Sequence, residues 1–136
     1  MIDLRGRAPK ILVIGDLMVD HYLWGSCDRI SPEAPVQIVN VESENVLLGG
    51  AGNVINNLKS LGAEVDVISV VGNCEVSREL KVLLKRIQVS SQFLIVQKDR
   101  VTSKKSRIIA SQQQVVRYDL ESTSPINIQT QKNILK

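Results

Sequence analysis

Runs of β-branched residues along the chain predict two strands of a parallel sheet. The first run, KILVIGD at 10–16, is uninterrupted and predicts a central strand buried on both faces. The second run, EVDVISVVG at 64–72, has the same residue preference. Because a helical pattern lies between them, we expect parallel neighbours joined by a right-handed crossover.

Helical spacing appears in three places. Apolar residues at 54, 55, 58 and 61 predict a helix over Ala51–Leu61, with Gly62 ending it. Asn73 is a candidate cap for a second helix. The apolar face of that second helix would consist of Val76, Leu80, Leu83, Leu84 and Ile87. A third helical pattern begins at Asn127 and extends to Lys136.

Two further regions are extended but have mixed faces. Segments 21–24 and 36–41 flank a loop containing Pro32 and Pro35, which predicts an exposed antiparallel ribbon outside the main sheet. Residues 93–96 predict a short third strand, and KSRIIAS at 105–111 with QVVRYD at 114–119 predicts a hairpin. The chain therefore combines an α/β core with a projecting β element.

Composition narrows the class of protein. Hydrophobic residues make up 43% of the chain but aromatic residues only 3%, so the core must consist of Val, Ile and Leu. The net charge of +3 is too small and too scattered to indicate nucleic acid binding. Cys27 and Cys74 are not clustered and have no metal-site spacing, which favours a reduced, intracellular protein. With no signal region in MIDLRGRAPK and no apolar run near the roughly 20 residues of a membrane span, we expect a cytoplasmic protein.

Three polar features are expected to meet at one edge of the sheet. Asp16 and Asp20 follow the first strand, where open α/β sheets bind ligands. The turn Gly49-Gly50 leads into a helix near Asn53. The third feature is the polar side of the late hairpin, which carries Lys105, Arg107, Arg117 and Asp119.

The chemistry of these groups suits a phosphorylated sugar. Carboxylate and amide groups accept from and donate to sugar hydroxyls, and glycine lets the backbone approach a ligand closely. Alternate residues of a strand share a face, so Lys105 and Arg107 point the same way. Such a pair of cations suits a phosphate, which arginine binds through two hydrogen bonds.

Each feature also has a structural interpretation. Asp20 could be a solvated loop acid, Gly49-Gly50 a turn that ends a strand, and Asn53 a helix cap. The cations of the hairpin could form an exposed edge that blocks strand pairing. His21 has no apparent partner, and Trp24 is expected to pack the ribbon.

Two nucleotide motifs fail in this sequence. GxxxxGK[ST] does not occur, which excludes a P-loop. GAGNVI has Ile55 where a dinucleotide fingerprint requires its third glycine, and it follows the ribbon instead of the first strand. A dinucleotide-binding regulator remains an alternative that a panel of nucleotides would test.

Four segments together resemble the ribokinase-like (PfkB) carbohydrate kinases over Lys10–Asp119. They are GDLMVDHYLWGSCDRISPEAPVQIV, LGGAGNVINNLKSLGA, VISVVGNCEVSRELKVLL and SRIIASQQQVVRYD. Within this family, RISPEAPV is similar to the heptose-7-phosphate kinase domain of bifunctional ADP-heptose synthesis proteins. The resemblance implies the N-terminal portion of an α/β, ribokinase-like three-layer sandwich with a protruding β-lid.

The resemblance also implies a division of the chain. Residues 1–136 would form part of one kinase domain, with core segments 8–20, 49–97 and 125–136 and lid segments 21–48 and 100–120. In this family the lid closes over the sugar and often mediates homodimers.

The matching positions imply a set of substrate-binding residues. By position, Asp20, Gly49, Gly50 and Asn53 would line the sugar site, with Asp16 beside them. Our hypothesis for the lid is that its polar residues hold the phosphate end of the substrate; they are Lys105, Arg107, Gln113, Gln114, Arg117 and Asp119. The sequence departs from the family at two places. Before the Gln-Gln pair, members commonly carry a basic residue followed by His or Asn, where this chain has Ser111 and Gln112. Asn73 replaces a more usual Asp.

The reaction implied by the resemblance is phosphoryl transfer from ATP, with Mg²⁺, to the anomeric hydroxyl of heptose 7-phosphate. That step would serve ADP-heptose and lipopolysaccharide core synthesis. The family's GxGD motif with its catalytic aspartate does not occur in these 136 residues. We therefore expect no catalytic residue, no metal site, no bound cofactor and no turnover for this chain alone. The alternatives are a different PfkB sugar kinase and a module that pairs lid to lid without catalysis.

Overall fold

A computed structural model describes residues 8–135 of the 136-residue chain. The N-terminal residues 1–7, considered above for a signal region, and Lys136 lie outside the described residues. In chain order the elements are β1 (Lys10–Ile14), β2 (Leu17–Ile30), β3 (Gln37–Gly50), α1 (Ala51–Ser60), β4 (Glu64–Val71), α2 (Glu75–Arg86), β5 (Leu94–Val96), β6 (Ser103–Ala110), β7 (Gln113–Leu120) and α3 (Ile128–Ile134).

The first of two sheets, the core sheet, has the order β1-β4-β5 and is entirely parallel. Val13 lies opposite Val67, so the expected parallel pairing of the two β-branched runs is confirmed. Alternate valines of β4 turn inward, and Val67 and Val71 are fully buried. Together with Ile55 and Leu80 from the helices they form a core of aliphatic side chains, as the scarcity of aromatic residues predicted.

The second sheet, which we call the lid sheet, has the order β3-β2-β6-β7. β2 pairs antiparallel with β3 and parallel with β6, and β6 pairs antiparallel with β7. The predicted ribbon and hairpin are therefore confirmed, and they join into one sheet. The ribbon strands are longer than predicted, because residues 17–20, expected just beyond the carboxyl end of the first strand, already belong to β2.

The interpretation of β1 as a central strand buried on both faces is wrong. β1 lies at the edge of the core sheet, and the side chains of Leu12 and Ile14 are 53% and 65% exposed. Ile11 and Val13, on the other face, pack against the core. An uninterrupted apolar run shows that both faces tolerate apolar side chains, but it does not show what covers each face.

Two details of the helices also differ from expectation. In the predicted apolar stripe of α1, Ile55 is fully buried and Leu58 packs against the core. Val54 and the C-cap residue Leu61 are 50% and 82% exposed, so half of the predicted stripe is wrong. α2 is capped by Cys74 and not by Asn73, and the Ser77 hydroxyl accepts a hydrogen bond from the Cys74 backbone N–H at 3.4 Å. The positive φ of 83° at Gly62 confirms that glycine ends α1.

The remaining helical predictions are confirmed. The buried residues of α2 include Val76, Leu80, Leu83 and Leu84, and Ile87 packs partly against the core. Asn127 caps α3, because its side-chain oxygen accepts from the Thr130 N–H at 2.8 Å. None of the helices described is long and apolar enough to cross a membrane.

Candidate functional site

One face of the lid sheet, which we call the site face, collects the polar residues that the sequence singled out. On β2, Asp20, Tyr22 and Trp24 share this face because strand side chains alternate. Lys105 and Arg107 of β6 lie beside them in register, opposite Asp20 and Tyr22. The opposite face carries Leu17, Val19 and His21, which are buried.

Asp20 and Arg107 form the closest ion pair on the site face. Arg107 Nη1 donates to Asp20 Oδ1 at 2.6 Å, and both side chains are only about one-fifth exposed. The guanidinium also lies over the Tyr22 ring, 5.1 Å from its centroid, within the range of a cation–π contact. Tyr22 in turn stacks on Trp24 at 6.3 Å between centroids. Arg107 is thus held by a carboxylate and by an aromatic ring.

A second ion-pair cluster lies beside the Asp20–Arg107 pair and is formed by residues of β6, of β7 and of the position just after β7. Lys105 Nζ contacts Asp119 Oδ2 at 2.9 Å and Glu121 Oε2 at 2.8 Å. Arg117 donates to both oxygens of Asp119, at 2.9 and 2.7 Å. Hydrogen bonds from Arg117 and, to a smaller extent, from Lys105 hold the pKa of Asp119 well below its usual range. Hydrogen bonds to Glu121 and Asp119 raise the pKa of Lys105.

The glycines at the end of β3 make room for Asp20 and for the start of α1. A Cβ at Gly49 would collide with the Asp20 carboxylate and with Met18 Cγ. Gly50 has a positive φ of 56° and is the N-cap residue of α1. Asp16 acts here through its backbone, whose carbonyl accepts from the Ala51 N–H at 3.0 Å, while its side chain is exposed.

Asn53, Gln113 and Gln114 lie away from both ion-pair clusters. Asn53 lies in the first turn of α1 and lines a cavity of about 300 Å³ beside β3 and α2 with Asn45, Leu47 and Arg86. Gln113 and Gln114 begin β7 at the far end of the hairpin, where both are exposed. Their assignment to the substrate stays a prediction.

The structure also decides between several structural alternatives. Asn53 is not the cap of α1, since Gly50 occupies that position. The cations of β6 do not form a sheet edge, because β6 lies between β2 and β7. Gly49 and Gly50 do end a strand, as one alternative proposed. Ile55, which replaces the third glycine of the dinucleotide fingerprint, is fully buried in the core.

The expectation that His21 lacks a partner is wrong. Its Nδ1 lies 3.3 Å from Ser106 Oγ and its Nε2 lies 3.1 Å from Glu44 Oε2. Sequence reasoning also missed Tyr22 and Glu121. The available signal was the alternation of side chains between the two faces of a strand. Residues two apart share a face, which places Tyr22 with Asp20 and Glu121 with Asp119.

Comparison with known proteins decides the family. The model of the pfkB family carbohydrate kinases matches residues 8–135, nearly the whole chain. The chain belongs to this family of carbohydrate kinases. Among curated relatives, this kinase-family chain is 66% identical over 132 residues to the bifunctional protein HldE of Aliarcobacter butzleri and 57% identical over 124 residues to HldE of Sulfurimonas denitrificans.

These matches cover unequal shares of the two proteins. They include 97% and 91% of this chain but only 28% and 26% of the two HldE proteins. The kinase-family chain therefore spans little more than a quarter of the length of the curated relatives it matches.

Solved structures confirm the ribokinase-like α/β fold. A sugar kinase of Clostridium perfringens, described as putative, superposes with a TM-score of 0.69 at 19% identity, covering 93% of this chain and 39% of that one. A ribokinase of Arabidopsis thaliana complexed with ribose and ATP gives a TM-score of 0.60 at 14% identity, covering 85% and 36%. At such identities the likeness concerns the fold alone.

Proposed function

We propose that this chain supplies the sugar-binding part of an ATP-dependent kinase that phosphorylates heptose 7-phosphate at its anomeric hydroxyl. The observation that carries the proposal is the assembly of Asp20 with Lys105, Arg107 and Arg117 on one face of the lid sheet, next to Gly49. The likeness to bifunctional HldE proteins supports a heptose substrate and a role in ADP-heptose and lipopolysaccharide core synthesis.

Each group has a distinct role in this proposal. Asp20 accepts hydrogen bonds from sugar hydroxyls, and Gly49 leaves the space in which its carboxylate lies. Arg107 and Lys105 bind the phosphate that the substrate already carries, at the lid end of the site. Asn53, Gln113 and Gln114 would add polar contacts around the sugar when the lid sheet closes on it.

ATP and Mg²⁺ belong to the complete kinase in this proposal. In phosphoryl transfer the metal neutralises charge on the transferring phosphate, and the protein positions the two substrates. Within residues 8–135, no group of three or more His, Cys, Asp or Glu side chains could hold a metal ion. In this proposal the role of this chain is to hold and orient the acceptor.

Calorimetric titration of the 136-residue chain with heptose 7-phosphate tests the proposal. Asp20→Asn should weaken binding about tenfold to a hundredfold, because a hydrogen bond to a charged group contributes about 1.5–3 kcal/mol. Asp66→Asn, which changes an exposed acid of β4, is the matched control and should bind normally. The heptose proposal fails if the wild-type chain does not bind heptose 7-phosphate or if both variants bind alike.

Turnover is a separate measurement. We expect no ADP release from this chain with ATP and heptose 7-phosphate, because GxGD is not in its sequence. Robust ADP release in a coupled assay would overturn this part of the proposal.

A second candidate function is homodimerisation through the lid sheet. β3 and β7 are its edge strands, and Val116, Tyr118 and Leu120 of β7 are about half exposed. Unpaired strand edges with apolar side chains favour association with another strand. Light scattering over a range of concentrations tests this candidate: a dimer that Tyr118→Lys dissociates supports it, and a monomer at every concentration contradicts it.

A further inference from the structure

Every cation on the site face is already bound to a carboxylate. Within residues 8–135, Lys105 contacts Asp119 and Glu121, Arg117 contacts Asp119, and Arg107 contacts Asp20. Three positive charges therefore face three negative charges, and the cluster has no formal excess charge to attract an anion. A phosphate that binds here must replace a carboxylate as the partner of at least one cation.

The pair most affected by this exchange is Arg107 with Asp20. The Asp20 oxygen that accepts from Arg107 Nη1 at 2.6 Å belongs to the same carboxylate that would accept from a sugar hydroxyl. While the pair is closed, one acceptor of Asp20 is occupied and Arg107 Nη1 donates to that carboxylate instead of to an incoming anion. Recognition of the phosphate and recognition of the hydroxyls are consequently linked through one ion pair.

Arg107 is also anchored in a way that permits a local exchange. Its guanidinium lies 5.1 Å from the Tyr22 ring centroid and 3.4 Å from the Lys105 carbonyl oxygen. A rotation of the guanidinium can release Asp20 while the aromatic contact keeps Arg107 on the site face. Arginine binds phosphate through two parallel hydrogen bonds, and a phosphate monoester carries a charge of about −1.5 to −2, so it is a stronger partner than one carboxylate.

We propose that the Arg107–Asp20 pair is a latch opened by the phosphate of the substrate, which selects sugar phosphates over free sugars. The phosphate draws Arg107 away from Asp20, and the released carboxylate then binds hydroxyls of the same molecule. A sugar without phosphate must break the pair without a new partner for Arg107 and is rejected. This mechanism deepens the proposed function and rests on it for the identity of the sugar.

Inorganic phosphate tests the latch without any sugar. Trp24 is the single tryptophan of the chain and stacks on Tyr22, so its fluorescence reports on this part of the site face. At constant ionic strength, Asp20→Asn should bind phosphate about threefold or more tighter than wild type, because the carboxylate no longer competes for Arg107. Unchanged or weaker phosphate binding in Asp20→Asn would overturn the latch.

Arg107→Gln tests the latch from the other side. It frees Asp20 permanently, so heptose lacking its phosphate should bind about threefold or more tighter, whereas heptose 7-phosphate should bind about tenfold or more weaker. Arg29→Gln, an exposed arginine near the far end of β2, is the matched control and should change neither affinity. Weaker or unchanged binding of the free heptose to Arg107→Gln contradicts the latch, provided that thermal unfolding shows a folded variant.

The two experiments separate the latch from the heptose proposal. If Asp20→Asn tightens phosphate binding but wild type binds neither heptose, the latch stands and the heptose substrate is wrong. If wild type binds heptose 7-phosphate but Asp20→Asn does not tighten phosphate binding, the substrate stands and the latch is wrong.

Discussion

His21 and Glu44 join two strands of the lid sheet through a 3.1 Å contact between Nε2 and Oε2. On its other side, the imidazole lies 3.3 Å from the fully buried hydroxyl of Ser106. One side chain of β2 therefore contacts both neighbouring strands, β3 and β6. These contacts lie on the face opposite the site face, so they fix the sheet on which Asp20 and Arg107 meet.

His21→Leu should lower the free energy of unfolding by about 1–3 kcal/mol, because it leaves the Ser106 hydroxyl buried without its partner. The double variant His21→Leu with Ser106→Ala should recover part of this loss, since both polar groups are then removed. Urea unfolding monitored by circular dichroism measures both changes. Additive losses in the double variant would show that the two side chains do not stabilise the sheet together.

Lys104 and Glu79 connect the lid sheet to α2, with 3.1 Å between Nζ and Oε2 and both side chains mostly withdrawn from solvent. A double-mutant cycle with Lys104→Met and Glu79→Gln should give a coupling energy of about 0.5–1 kcal/mol that decreases with salt. The exposed pair of Lys10 and Glu64, at 3.4 Å, is the matched control and should give a coupling near zero. Equal couplings for the two pairs would contradict a special role for the contact between β6 and α2.

Gly49→Ala should weaken heptose 7-phosphate binding about tenfold or more, because its Cβ would push the Asp20 carboxylate out of place. Gly62→Ala is the control for stability alone. A Cβ added at Gly62 would meet no atom within 4 Å, but the φ of +83° disfavours a residue with a side chain. The substitution should therefore cost about 1–2 kcal/mol of stability without changing sugar affinity. Calorimetric titration and thermal unfolding of both variants separate the two effects. A Gly49→Ala variant with normal affinity would show that the position of Asp20 does not matter for binding.

Cys74 should be alkylated at a lower pH than an ordinary thiol. Burial acts to raise the pKa of this thiol, but hydrogen bonds from Thr102 and Ser77 outweigh it and lower the pKa. Since the thiolate is the reactive form, the iodoacetamide rate in a Cys27→Ser background should rise with a midpoint below that of a free cysteine peptide measured alongside. Thr102→Val should move the midpoint upward; a parent midpoint at or above that of the peptide would contradict the expected shift.

The sequence predicted the fold class and most elements because their signals are local. β-branched runs, helical spacing in α2 and the glycine at 62 depend on neighbours in the chain, and each was confirmed. The predictions that failed concern exposure. Leu12 and Ile14 on β1, like Val54 of α1 and Leu61 at its C-cap, are apolar residues whose surroundings come from distant segments.

The candidate site divides in the same way. Period-two spacing was enough to group Lys105 with Arg107 and Arg117 with Asp119, and the site face contains all four. The sequence could not pair Arg107 with Asp20, because 87 residues separate them and only the parallel alignment of β2 with β6 makes them neighbours. The same alignment provides His21 with Ser106 as its partner, 85 residues away.

By itself, the sequence determined an α/β kinase-family fold, an aliphatic core and a set of polar residues suited to a sugar phosphate. Only the tertiary structure decided which cation contacts which carboxylate. It also placed Asn53 beside a cavity that the ion-paired residues do not line. The reason is physical: residue type and spacing fix local conformation and the face of a strand, whereas ion pairs depend on the register between strands that are distant in the chain.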